Sequence, residues 1–238
     1  MLAGGTGVAL SGCESVITAA AGDPPRLFRL SSKSTYPEGM QKVGWQLVVD
    51  TPSAPASINS NRIGLMETSF RFNYFAKANW VDRAPVMVQN LISESFDNSG
   101  AIVGVGPGSI GLRPDFVLQP ELREFQAHAK GSDHEVQVVI NARLVQMPER
   151  KIVAVEQFGR TMAAPAGELY PVIDAFDSAL GKVMKRLVVW TLAEGEKAWK
   201  AQSKGSRRSS TKRRSSGGAK TVTPARPIRR LERPTTSG

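Results

Sequence analysis

The sequence predicts an α/β fold: a single mixed β-sheet domain with packed helices, a lipidated N-terminus and a disordered basic C-terminal tail. Three observations carry that prediction. Between residues 42 and 158 apolar side chains recur with the two-residue period of half-buried strands, twice in close succession near the end of the stretch. Two segments, one after Asp82 and one from Leu169, switch to the 3.6-residue period of amphipathic helices. The formal charge of +10 is confined to the last part of the chain: Lys204–Gly238 holds eleven Lys and Arg against one acid, Glu232, and the rest carries 20 of each sign. From residue 42 the elements read β-β-β-α-β-β-β-β-α, and the late antiparallel run points to one sheet with helices laid against it.

Taken in order, residues 13–25 (with Ala-Ala-Ala-Gly-Asp-Pro-Pro at their end) read as a linker, followed by a candidate strand at Arg26–Leu30. In residues 42–50, Val43, Trp45, Leu47 and Val49 alternate with Gly44 and Gln46, the pattern of a strand with one buried face, and Thr51-Pro52 ends it. Arg62–Met66 and Phe70–Phe75 read as two short strands around Glu67-Thr68-Ser69. Asp82 is placed to cap a helix with Pro85 in its first turn. Val88, Leu91, Ile92 and Phe96 then keep helical spacing until Asn98-Ser99-Gly100. Ala101–Val105 reads as a buried strand. Phe116–Ala127 is extended but interrupted by Pro120, which predicts an edge position or a bulge. Val136, Val138, Ile140, Ala142 and Leu144 form the clearest strand face, and after Pro148-Glu149-Arg150 comes its expected hairpin partner, Ile152–Phe158. A long helix closes the domain. Its stripe is Leu169, Val172, Ile173, Phe176, Leu180, Val183, Leu187 and Trp190, with Asp174, Asp177, Lys182, Lys185 and Arg186 toward water. The α/β domain is thus expected over residues 26–200.

Charge divides the remaining chain. Residues 201–238 offer only Val222, Ile228 and Leu231 as apolar side chains larger than alanine, too few to offset chain entropy, so disorder is expected there. A pI near 10 belongs to this tail, and the neutral body is not a basic nucleic-acid-binding domain. Arg207, Arg208, Lys212, Arg213, Arg214, Arg229 and Arg230 are candidates for contact with anionic surfaces, lipid headgroups or cell-wall carboxylates. The competing readings are a solvated extension, or a nucleic-acid-associated protein that sets its Ser/Arg-rich tail on phosphates. No run of eighteen apolar residues that would cross a membrane as a helix occurs in the body.

Motifs for chemistry are weak. Gly106-Pro107-Gly108-Ser109-Ile110-Gly111 has the spacing of a dinucleotide loop, but Pro114 obstructs the helix that would aim N–H groups at a pyrophosphate, so a flexible Gly-rich loop is expected. His128 and His134 flank a Gly-Ser-Asp turn and read as surface-loop histidines without a third ligand. No nucleophile elbow, zinc-protease helix or carboxylate pair with an orienting partner is evident. The expectation is a protein without catalytic residues, cofactor or metal.

The single cysteine, Cys13, follows Leu10-Ser11-Gly12 and an uncharged apolar start. Leu-Ser-Gly-Cys looks like a bacterial lipobox: the small residues Ser11 and Gly12 suit the narrow pocket of a signal peptidase cutting between Gly12 and Cys13. Residues 1–12 would then be a signal peptide, and the Cys13 thiol would carry the lipid. The rival reading is a buried thiol near a phosphate loop at Gly4-Gly5-Thr6-Gly7, which lacks the preceding strand and the following Lys-Ser/Thr pair.

Together with the lipobox, several segments resemble the ABC-type transport auxiliary lipoproteins, in particular the paraquat-inducible lipoprotein C group. They are Arg26-Leu27-Phe28-Arg29-Leu30, Trp45–Asp50, Asn61-Arg62-Ile63, Tyr74–Pro85, Glu121-Leu122-Arg123-Glu124-Phe125 and Ala175–Leu180. The resemblance covers about residues 10–192, with Tyr74–Pro85 its most specific part. It implies a periplasmic α/β domain tethered to the outer membrane. That domain would work with an ABC permease, its ATPase and a mammalian-cell-entry (MCE) domain protein in moving lipids between membranes, without catalysis of its own. Self-association into a homo-oligomer is a further expectation. Residue 14 is Glu rather than the Asp that goes with inner-membrane retention, so the outer membrane is expected. The basic tail and the uncharged start depart from the family pattern.

Overall fold

A long three-stranded meander organises the molecule, and everything else is hung on one edge of it. The structure, a computed structural model, describes residues 24–108, 111, 113–165 and 167–215, with side chains of the last helix through Lys204. Its elements are β1 (Arg26–Phe28), β2 (Val43–Val49), β3 (Arg62–Thr68), β4 (Arg71–Trp80), α1 (Ala84–Ser99), β5 (Ile102–Pro107), β6 (Phe116–Lys130), β7 (Asp133–Gln146), β8 (Lys151–Ala164) and α2 (Leu169–Ser215). The chain divides into two units, Met1–Ala198 and Trp199–Gly238. All eight strands belong to one mixed sheet in the first unit, so the expected α/β domain with a single mixed sheet holds.

β6, β7 and β8 pair antiparallel along nearly their whole length. The other edge of β6 is shared by two partners. Its first residues, Phe116–Leu118, pair parallel with Leu47–Val49 of β2, and its later residues, Gln126–His128, pair parallel with Gly64–Met66 of β3. β5 lies parallel outside β2, while β4 and then β1 extend the sheet outside β3.

Pro120 sits in this branch, in an interior strand and not at the edge that its sequence context predicted. Its carbonyl accepts a hydrogen bond from the Ser53 N–H at 3.2 Å, and the Leu122 N–H donates to the Ser53 carbonyl at 2.8 Å. Within a strand the N–H and C=O of one residue point the same way, so the donor that proline lacks falls in the gap between β2 and β3 and spares the ladder to β7. The expected irregularity does occur, displaced to a register shift between Leu122 and Glu124.

The first helix corrects a second expectation. Arg83, not Asp82, occupies the N-cap, and no side chain caps the helix; the Asp82 carboxylate instead accepts from the Arg83 N–H at 2.7 Å. Pro85, with its fixed φ and no N–H to leave unsatisfied, starts the helix, and Gly100 ends it in the left-handed conformation with φ 60°. The segment before β2 is pinned to α1. Lys33 N–H donates to the Ser95 hydroxyl at 2.9 Å and the Tyr36 hydroxyl donates to the Ser95 carbonyl at 2.8 Å. Burial pushes the Tyr36 phenol up to about 12, so it stays a donor through the neutral range.

Both helices bury their stripes in one core. Val88, Ile92 and Phe96 of α1 are fully buried, as are Val172, Phe176, Leu180 and Leu187 of α2. Phe176 stands 5.2 Å from Trp80 and 5.1 Å from Phe125, ring to ring, so an aromatic cluster joins α2 to β4 and β6. α2 continues past the boundary expected at residue 200 as far as Ser215. No proline interrupts residues 193–215, Lys, Arg, Gln and Ala are good helix formers, and extending a helix already nucleated on the core needs no new nucleus. Arg207, Arg208, Lys212, Arg213 and Arg214 therefore belong to a helical stretch of backbone, whereas Arg229, Arg230 and the rest of 216–238 lie outside the described residues. So do Gly12 and Cys13. Among the described residues no helix is long and apolar enough to cross a membrane.

Candidate functional site

Among the described residues β8 pairs with β7 only, which leaves its second edge along Lys151–Ala164 without a strand partner there. α2 runs against the core face of this strand. Alternation along β8 places Phe158 on that face, 2% exposed, while four-residue spacing on α2 brings Arg186 and Trp190 over it. The Phe158 and Trp190 rings meet edge to face at 5.5 Å, and the Arg186 guanidinium lies 5.5 Å from the Phe158 ring centre. Between strand and helix opens a groove of about 370 Å³, lined by these three with Val189 and Ala193 and rimmed by Glu156, Lys185 and Glu194. Val189 is 38% exposed. Two cations and two carboxylates balance around the groove. Such a surface can bury an apolar side chain of a partner while its rim takes polar contacts.

The sequence places Trp190 at the end of a core stripe and Ile152–Phe158 in a hairpin strand. It does not show that the two frame a groove, because which strand ends the sheet is set by pairing order. The available signal was Trp190 itself, a large aromatic where the stripe meets a charged stretch.

The opposite face of the meander carries a polar network. The Asn141 amide donates to Glu121 at 3.3 Å, the Arg123 Nε donates to it at 3.2 Å, and Arg143 lies 3.8 Å away. The Asn141 hydrogen bond, with Arg123 and Arg143, holds the Glu121 carboxyl below its usual range. This arrangement ties β6 to β7.

The remaining motif residues take places that differ from their expected ones. His128 and His134 are half-buried strand residues of β6 and β7 rather than loop residues, because the antiparallel ladder continues past both to the Lys130–Asp133 pair. The His134 ring lies 5.6 Å from Phe75. Among the described residues no group of three or more His, Cys, Asp or Glu stands where it would hold a metal ion. Gly106 and Pro107 end β5, and among the described residues the next strand or α-helix is β6 rather than the helix a dinucleotide would need. Ser109, Ile110 and Leu112 lie outside the described residues. Asp115 joins this segment to β2: its carboxylate accepts from the Gln46 N–H at 2.8 Å and its own N–H donates to the Gln46 carbonyl at 3.0 Å.

Comparison with known proteins agrees with this architecture. The family model for the ABC-type transport auxiliary lipoprotein component matches residues 28–188, well over half of the chain. The chain belongs to this family. A solved structure of a Xanthomonas campestris protein is similar at 27% identity with a TM-score of 0.68, over 74% of this chain and 99% of that one. A second solved structure, of an uncharacterised protein, has 10% identity and a TM-score of 0.56 over 70% and 97% of the two chains, a likeness of fold alone. An uncharacterised protein of Bradyrhizobium diazoefficiens is 26% identical over 147 residues, which is 61% of this chain but only 39% of that relative's length. The family is described as a lipoprotein component auxiliary to ABC-type transport. In this auxiliary lipoprotein the matched stretch contains the whole sheet from Phe28 onward and most of the buried stripe of α2. Cys13 and the basic segment lie outside it.

Proposed function

We propose that this protein is the lipid-anchored periplasmic auxiliary subunit of an ABC/MCE-type intermembrane lipid transport system, and that it tethers partner subunits without catalysing a reaction. The observation that carries the reading is the family match over residues 28–188, which coincides with the folded sheet and its helices. Cys13 would carry the acyl chains after removal of residues 1–12 and hold the body on the periplasmic side of the outer membrane. Tethering to one leaflet raises the effective concentration of the body near a partner in the same compartment without any new contact. The groove between β8 and α2 is the surface we assign to the MCE-domain partner. It supplies an aromatic pair, Phe158 and Trp190, with the half-uncovered Val189 beside an open strand edge, the kind of anchor at which binding energy concentrates.

Affinity purification of the tagged full chain from cross-linked cells, read by mass spectrometry, tests this reading. An MCE-domain protein and an ABC permease with its ATPase should be recovered with the wild type and depleted by Val189→Glu. Recovery of no transport component, or equal recovery with the variant, would sink the reading or the surface assignment respectively. Cys13→Ala in the same cells should move the protein from the membrane to the released periplasmic fraction. Retention of this variant in the membrane pellet would rule out the anchor.

A further inference from the structure

We infer that the second edge of β8 takes a second copy of this chain: two β8 strands pair antiparallel across a two-fold axis at Phe158 and join the two sheets into one. The strand runs for 14 residues and pairs with β7 on one side, and among the described residues no strand pairs with its other side. An unpaired row of N–H and C=O groups invites another strand, and edges that stay single are blunted by short length, by proline or by lysine along the strand. β8 contains no proline, and its one lysine, Lys151, is its first residue.

The order of side chains on the strand selects the copy as the occupant. Pairing with β7 sets Glu156, Phe158 and Arg160 opposite Ala142, Ile140 and Val138, so all three lie on the helix side of the sheet. Glu156 and Arg160 are both exposed and stand symmetrically about Phe158. An antiparallel copy centred on Phe158 therefore brings its Arg160 against Glu156 and its Glu156 against Arg160, while on the other face Val155 meets Thr161 of the copy. Moving the axis by one residue sets one charge against Phe158 and the other against Ala154 or Met162. Moving it by two sets Glu156 against Glu156, or Arg160 against Arg160, which is unfavourable for charges directly opposite. One register is thus selected, and a self-complementary contact of this kind closes at two copies. Pairing occupies the edge of the strand, so the grooves on its helix side meet across the axis with Val189 and Trp190 of both copies. The pairing does not depend on the transport reading; use of the joined groove by a transport partner does.

Sedimentation of the full chain, purified unacylated and kept reduced so that Cys13 forms no disulfide, tests the pairing. A dimer is expected in the micromolar range. Glu156→Arg alone and Arg160→Glu alone should each weaken it about tenfold, because symmetry repeats every changed pair, and the two together should restore it. Thermal melts check that each variant is folded. In a Cys13→Ser background, Val155→Cys combined with Thr161→Cys should give a linked dimer on mild oxidation. Neither cysteine alone should link, since like positions three residues from the axis are about 20 Å apart. A monomer throughout, an assembly larger than a dimer, a dimer indifferent to the charge variants, no link in the double variant, or links in the single ones would each overturn the inference. Recovery of transport components from cells is a separate measurement, so failure of the dimer and failure of the transport reading are told apart.

Discussion

Gly181 and Gly195 lie on the same helix, yet a methyl group should have opposite effects at the two positions. Nothing stands within 4 Å of the place a Cβ would take at Gly181, so Gly181→Ala should stabilise the body by about 0.5–1 kcal/mol through lower unfolded-chain entropy. At Gly195 the same atom would sit 2.5 Å from Trp45 Cζ2. The indole cannot retreat, since it is fully buried with Phe116 4.8 Å away on another side. Gly195→Ala should therefore destabilise by about 1–3 kcal/mol despite its better helix propensity. Urea midpoints at constant slope check both, and equal shifts of one sign would contradict the packing of Trp45 on α2. In the sequence the two glycines look alike, because nothing local to residue 195 announces an indole supplied from residue 45.

At the scale of elements, α2 is the seam between the core and everything outside it. Its apolar stripe was readable from the 3.6-residue period, and the structure buries that stripe from Leu169 to Leu187. Phe176 contributes most directly, wedged between Trp80 and Phe125. Phe176→Ala should cost about 3–5 kcal/mol, whereas Tyr170→Ala, at a position 60% exposed, should cost under about 1 kcal/mol. Thermal melts of the two variants make the comparison, and an unshifted midpoint for Phe176→Ala would place its face outside the core. The strand pair β7–β8 was equally legible, because alternation records a half-buried ladder directly. β6 was legible only in part: Pro120 signals an edge or a bulge, and only the exchange of partners from β2 to β3 opens a gap where its missing donor does no harm inside the sheet. The N-cap was misplaced by one residue, as Asp82 makes its hydrogen bond to the adjacent Arg83 N–H instead of to the helix.

For the whole molecule, charge and stability occupy different parts of the chain. The core closes by Leu192 and the first unit by Ala198, before the cationic run begins. Deleting residues 204–238 should accordingly leave the thermal midpoint of the body unchanged within about 1 °C, well below the 2–4 °C that 1 kcal/mol produces in a domain of this size. Calorimetry of both forms at moderate salt tests it. A fall of several degrees would mean that the basic segment takes part in the body's stability.

The amino-acid order alone determined the elements and their buried faces, the separation of a neutral body from a cationic end, and a lipobox-like spacing before Cys13. These are local properties: side-chain period follows from backbone geometry over a few residues, and charge is additive along the chain. Only the tertiary structure decided that β6 serves two partners along one edge, that β7 is the one described strand paired with β8, and that Trp190 and Phe158 frame a groove. Those features depend on which distant segments pair and in what register. That choice is made by closing one core over many competing arrangements, and no short window of sequence records it.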